Sequence, residues 1–250
     1  MGTGPHLCFL HGFCENQSIW ESQIEILKKT HTCWLFDLPG FGQSSLKGLA
    51  SIAKQADVLN LLLDHLAIED ICVFGHSMGG YIAVEMVSQR PDKYNGIAMI
   101  HSTALEDKKT KKANRQKVLE FVNSNGAEAF LKQFFLQLVA PSNQERLSVV
   151  LWAQVKDTSK EAILNATSAM MNRRDHLETI QQLKIPVLFL CGSEDQHFPI
   201  SDVYLQISKS DLGQIEIIDN TGHLSMLESP DECSAVILDF LRFKTLSAIS

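Results

Sequence analysis

The chain of 250 residues carries 22 Lys plus Arg against 29 Asp plus Glu, a formal net charge of −7, with 45% hydrophobic and 20% charged residues. This is enough chain for one large domain or two small ones with a substantial core, and it excludes disorder, collagen and coiled coil as the main state. The net negative charge argues against nucleic acid as a partner, because binding it needs a basic surface. No apolar run approaches the ~18 residues of a membrane span. The opening Met1–His6 has neither the charged segment nor the long apolar core of a signal peptide, and His6 stands where myristoylation wants Ser or Thr. Cys8, Cys14, Cys33, Cys72, Cys191 and Cys233 show no CxxC spacing, and four of them lie inside apolar runs. They read as reduced core thiols of a cytoplasmic protein, with no metal site implied.

In chain order, the apolar runs Leu7–His11, Cys33–Asp37, Ile71–Gly75, Ile97–His101, Val187–Cys191 and Ile215–Asp219 predict strands. They are continuous rather than alternating, the pattern of strands buried on both faces. Amphipathic stretches at 18–30, 52–66, 78–90, 201–209 and 231–243 predict helices, with Pro91 marking a helix end and Pro230 a helix start. The fold class is α/β: a mostly parallel sheet of about six strands with helices on both faces.

One interval breaks the rhythm. From Leu105 to Lys184 no good strand pattern occurs, and a stretch of about 80 residues is too long for a structureless loop. The expected organisation is a core of residues 1–104 and 185–250 with a helical cap inserted at 105–184. Phe130, Phe134, Phe135, Trp152, Met170 and Met171 offer that cap an apolar underside, or simply its own core. The basic run 108–117 reads as a solvated helix face, with steering of an anionic substrate as the alternative. Arg173, Arg174 and Asp175 read as a surface ion pair, with contact to a substrate carboxylate as the alternative.

The most informative stretch is Gly75-His76-Ser77-Met78-Gly79, set directly after an apolar strand and directly before a helix. Gly-x-Ser-x-Gly in that context predicts a sharp turn that exposes the Ser77 hydroxyl above the sheet, with a helix N-terminus behind it. A serine nucleophile needs a base held by an acid. The loops after the fifth and sixth strands supply Asp195 and His223 at the same sheet edge, in the chain order Ser, acid, His. Glu194 and Asp219 are the competing acids, and His11, His76, His101 and His197 are read as orienting or bystander residues. The oxyanion donors expected are the backbone N–H groups of Met78 and Phe13, each worth about 3 kcal/mol of barrier. Phe13, His76, Phe134, Trp152 and Met171 are the candidate substrate contacts. No phosphate-binding loop or dinucleotide fingerprint occurs, so no metal or organic cofactor is expected.

Together these residues resemble the α/β-hydrolase fold family. His11-Gly12-Phe13 is similar to its oxyanion loop, Asp37–Ser44 to its D-x-P-G-x-G-x-S loop, and Gly75–Gly79 to its nucleophile elbow. Gly192–Pro199 is similar to its acid loop, and Gly222-His223 with Glu228-x-Pro230 to its histidine loop. The resemblance implies a serine hydrolase of a small carboxylic ester or thioester, working through an acyl-enzyme. The alternatives it leaves are a perhydrolase or acyltransferase, a C–C bond hydrolase, and a non-catalytic receptor. Ser77 argues against the family's Asp-nucleophile members, Leu224 against C–C hydrolases with Trp at that point, and Tyr81 and Ile82 against menaquinone-pathway members with an Arg nearby. Family members usually open with a two-stranded hairpin for which this chain has too few residues before Leu7. The strand Cys33–Asp37 is then expected at or near an unprotected edge, and either the start is truncated relative to a longer protein or a partner subunit covers that edge. The expected partners are a small-molecule substrate and no nucleic acid or membrane, with the chain a monomer or homodimer.

Overall fold

The computed structural model describes residues 1–44 and 49–247. Among them, six strands form one sheet: β1 (His6–Leu10), β2 (Thr32–Phe36), β3 (Ile71–His76), β4 (Tyr94–Ile100), β5 (Val187–Gly192) and β6 (Gly213–Ile218). Their spatial order is β2-β1-β3-β4-β5-β6, and every pairing is parallel. The chain steps from β1 outward to β2, then returns across the sheet to β3. Loops after β1 and β3 therefore leave in opposite directions and open a crevice at the strands' carboxyl ends. Leu10 pairs with Gly75, and Gly75 with Met99, so β1, β3 and β4 end almost level.

Strands β3 and β5 are buried throughout, as their continuous apolar runs require. Strand β6 departs from that expectation: Glu216 and Ile217 are exposed, because it is the edge strand. The opposite edge is β2, as expected, and its outer side is partly covered by the chain itself. The Thr32 N–H turns inward to Pro5 O, so Cys33 faces outward. There it exchanges two hydrogen bonds with Met1, at 2.7 and 2.9 Å.

Helices α1 (Glu21–Leu27), α2 (Ile52–His65) and α3 (Met78–Gln89) connect the first four strands. Between β4 and β5 come α4 (Lys109–Phe134, broken at Gly126), α5 (Gln144–Val155), α6 (Lys160–Met171) and α7 (Leu177–Gln182). Helix α8 (Ile200–Ile207) joins β5 to β6, and α9 (Ser225–Glu228) and α10 (Pro230–Ser247) follow β6. Phe74 meets Phe240 of α10, while the next residue, Gly75, abuts Gly79 and Gly80 of α3. Successive strand residues point to opposite faces, so α3 and α10 flank the sheet on its two sides. No helix among the described residues is long and apolar enough to cross a membrane.

Phe9 of β1 and Phe74 of β3 stack face to face with ring centroids 4.8 Å apart, both fully buried. Phe74→Ala should lower the unfolding free energy by about 3–5 kcal/mol. Urea denaturation followed by far-UV circular dichroism measures this, and a loss under 1 kcal/mol would show that the strand pair is not part of the cooperative core.

Candidate active site

Ser77 sits between the last residue of β3 and the first of α3, with φ +49° and ψ −111°, a conformation that L-residues adopt only at a cost. Surrounding backbone enforces it. The Ser77 N–H donates to Ile100 O at 2.9 Å, and the Ser102 hydroxyl donates to Ser77 O at 2.7 Å. A Cβ on Gly75 would lie 2.4 Å from Gly79 O, and one on Gly79 2.4 Å from Leu10 O. Both glycines are therefore required by the turn, as the motif implied.

His223 and Asp195 meet. The His223 Nδ1 donates to Asp195 Oδ2 at 2.8 Å, leaving its Nε2 as the free lone pair. Asp195 Oδ1 accepts from the His197 N–H at 2.8 Å, and the Asp195 side chain is only 2% exposed. The rival acids Glu194 and Asp219 are both exposed. Burial opposes the Asp195 charge, but His223 and the hydrogen bonds from His101 and His223 outweigh it and hold the carboxyl well below its usual range. Burial pushes His223 down to about 3, reinforced by His76 and His197 and opposed by Asp195. Its imidazole is thus neutral at ordinary pH.

Ser77 and His223 line one cavity of about 100 Å³, together with Phe13, Phe130, Phe134 and Met170. Among the described residues Ser77 Oγ has no hydrogen-bond partner, so the two groups share the cavity without being bonded. Such bonds are often long in a ligand-free site and tighten when substrate arrives. The Phe13 and Met78 backbone N–H groups likewise have no acceptor among the described residues. Of the other candidate contacts, Phe13 and Phe134 line the cavity, with ring centroids 5.6 Å apart. Trp152 does not; it packs on Phe135 of the insertion. Met171 gives way to its neighbour Met170, because the helical rotation at the end of α6 turns Met170 inward.

His76 is also no substrate contact. It is fully buried, its Nδ1 2.9 Å from Glu15 Oε2 and its Nε2 2.9 Å from His223 O. Both partners are acceptors, so both ring nitrogens donate and the ring is an imidazolium. Burial alone would lower its pKa, but the Glu15 charge and hydrogen bond, helped by the His223 carbonyl, raise it. Glu15 also accepts the Gly12 N–H at 2.7 Å. One buried ion pair thus ties the loop after β1, the elbow and the histidine loop together.

Two residues escaped the sequence reading. Glu15 lay unmarked in the first loop, where neither spacing nor composition signals a role. His101 stands in the sequence only as a strand end, yet its Nδ1 is 3.1 Å from Asp195 Oδ2 while its Nε2 accepts from the Ser225 N–H. His101, Asp195 and His223 could in principle hold a metal, their ligand atoms lying within 4.8 Å of one another. However, both Nδ1 protons point at the carboxylate, so the cluster is a hydrogen-bond network rather than a ligand set. Arg173 also differs from the expected surface pair, whereas Arg174 is exposed and ion-paired. Arg173 is buried against Asp107, 2.8 Å away, and Arg174 forks onto Glu85 at 2.6 and 2.9 Å.

Replacing Glu15 by Gln leaves the His76 imidazolium buried without its counter-charge. We expect Glu15→Gln to cost about 3–5 kcal/mol of stability near pH 6. Because the wild-type His76 pKa is raised, the stability from the pair is complete below the unfolded histidine value and fades as pH rises through the folded one. The gap between the two proteins should therefore narrow towards alkaline pH in urea titrations. A pH-independent gap would mean that His76 is not charged.

A family model described as alpha/beta hydrolase fold matches residues 5–230. The chain is 27% identical over 253 residues to the 2-succinyl-6-hydroxy-2,4-cyclohexadiene-1-carboxylate synthase of Yersinia pseudotuberculosis, spanning 96% of this chain and 88% of that protein. It is 24% identical over 246 residues to 3-oxoadipate enol-lactonase 1 of Acinetobacter baylyi, spanning 96% and 90%. Among solved structures, a thermophilic esterase from Thermogutta terrifontis, with malate bound, superposes with a TM-score of 0.91 at 27% identity over 98% of this chain and 92% of that one. The family pattern runs nearly end to end, through the elbow, the acid loop and the histidine loop. The chain belongs to the alpha/beta hydrolase fold family and is an enzyme of that class.

Proposed function

We propose that the protein is a serine hydrolase that cleaves a small carboxylic ester, lactone or thioester through an acyl-enzyme. The observation that carries this reading is the 2.8 Å His223–Asp195 hydrogen bond, which leaves the His223 Nε2 free in the cavity that Ser77 also lines. His223 takes the Ser77 proton as the hydroxyl attacks the carbonyl carbon. The oxyanion forms against the Phe13 and Met78 N–H groups, whose lack of other acceptors suits them to that role. The imidazolium, steadied by Asp195, gives its proton to the leaving alcohol or thiol. Water, deprotonated by the same imidazole, then releases the acid and restores Ser77. The relatives named as an enol-lactonase and an esterase support this bond type.

Incubation with a fluorophosphonate probe should label the wild type at Ser77 and leave Ser77→Ala unlabelled. Turnover of acyl esters of graded length should fall on the order of 10⁴–10⁶-fold in that variant. Equal labelling of both proteins, or turnover that survives the substitution, overturns the reading.

The base is competent only when neutral, and burial displaces its titration far below the ordinary value near 6.5. The acid limb of kcat/KM should therefore lie well below pH 6.5, with activity retained through mildly acidic solution until the fold itself gives way. A limb centred at the ordinary histidine value would show that burial does not displace the titration of His223 in the working enzyme.

A further inference from the structure

The cavity beside Ser77 is lined by two unlike sets of side chains. Phe13, Phe130 and Phe134 form the apolar set; Lys111, Arg115 and Tyr81 form the polar one. The polar set holds more positive charge than the protein neutralises. Arg115 and Arg173 share one carboxylate, the fully buried Asp107. Lys111 has no carboxylate at all among the described residues; its Nζ donates to His197 O at 3.2 Å and lies 4.2 Å from the Phe198 ring centroid. The acids nearby are already occupied: Glu106 by Lys112, Asp202 by Lys108, Glu85 by Arg174 and His176.

Polar atoms without partners face the same space. The Thr167 hydroxyl is buried, lines the cavity and makes no hydrogen bond. Tyr81 is 2% exposed, carries Arg173 over its ring at 3.8 Å, and its hydroxyl has no partner among the described residues. Burial raises a phenol's pKa, yet that of Tyr81 is lowered, because Arg173, Lys111 and Arg115 together outweigh the burial. A buried donor without a partner, as at Thr167, beside more cations than carboxylates is costly unless a ligand completes it.

We propose that Lys111, Arg115, Tyr81 and Thr167 form a carboxylate subsite, and that the substrate is a short acyl ester, lactone or thioester whose acid part carries a free carboxylate. The anion docks on the cationic side chains, its methylenes lie on the phenylalanines, and its carbonyl reaches Ser77. This rests on the hydrolase reading above for the chemistry, though not for the binding. The reaction balances as half-ester plus water giving a dicarboxylate, an alcohol and one proton. A cavity of about 100 Å³ keeps the acid short, since larger ligands need ~300 Å³ or more.

The test compares the methyl half-esters of succinic, glutaric and adipic acids with neutral isosteres in which isopropyl replaces the carboxylate, methyl 5-methylhexanoate standing for the glutaric half-ester. The wild type should favour at least one half-ester over its isostere by about tenfold or more in kcat/KM, the scale of a hydrogen bond to a charged group. Lys111→Met keeps the aliphatic stem and should cut that ratio by about tenfold, and Tyr81→Phe should reduce it also. Arg115 is avoided, because removing it strands Asp107. Lys132→Met, which removes one positive charge away from the cavity, should leave the ratio unchanged and so separates docking from long-range steering. Calorimetry on Ser77→Ala with the same compounds reads binding without turnover. Half-ester binding there that Lys111→Met weakens, with no hydrolysis by the wild type, would keep the subsite and end the hydrolase reading. Isosteres bound or cleaved as well as every half-ester, or a ratio that Lys111→Met does not move, overturns the subsite.

Discussion

A carboxylate and an imidazole sealed from water, Glu15 and His76, set the relation between three loops that are far apart in the chain. Ions in such a place carry a large desolvation cost, which only close pairing and further hydrogen bonds offset. The pair meets that condition through the Gly12 N–H on one side and the His223 carbonyl on the other. The loop after β1 is therefore held against the elbow, and His223 is held above both. Moving any one of them would leave a buried charge unsatisfied.

The same device recurs around the site. Asp37 accepts the Gln17 and Gln43 N–H groups at 2.8 and 2.7 Å, which folds the loop after β2 against the start of the preceding helical segment. Glu228 accepts the Gly222 and Leu224 N–H groups, both at 3.0 Å, on either side of His223, and the Ala140 N–H at 2.8 Å. That last bond, with the His223 N–H to Leu138 O, fastens the inserted helices to the histidine loop. Backbone groups in buried loops have no strand or helix to pair with, and these carboxylates replace the missing partners. Asp195 belongs to the same class, with two imidazoles and one amide converging on it.

The insertion between β4 and β5 then decides what the cavity offers. Its aromatic and aliphatic side chains face Phe13, and its first helix contributes Lys111 and Arg115. A lining that is part apolar and part cationic suits a ligand that is itself two-ended. The sheet supplies the elbow and its neighbours, while the inserted helices supply much of the cavity lining.

How much of this could be read from the residues alone follows from the range of each force. Strands β1, β3, β4 and β5 and the helices flanking them were legible because burial on both faces imposes unbroken apolar runs, and because 3.6-residue periodicity is local. The elbow was legible because its turn demands glycine at two fixed offsets, and Asp195 and His223 because loop position after a parallel strand places them at one edge. Position alone could not separate His101 from the other histidines, nor mark Glu15, since their partners lie 94 and 61 residues away. Nor could it separate Met170 from Met171, or take Trp152 off the cavity, because a helix's rotation is set by what it packs against. The amino-acid order by itself determined the sheet, the turn and the two loops that bring Asp195 and His223 together. The tertiary structure alone decided which buried charges pair, which face of the inserted helices looks inward, and that Lys111 lines the cavity with no carboxylate partner among the described residues, because electrostatic complementarity in a low-dielectric interior depends on distance through space rather than along the chain.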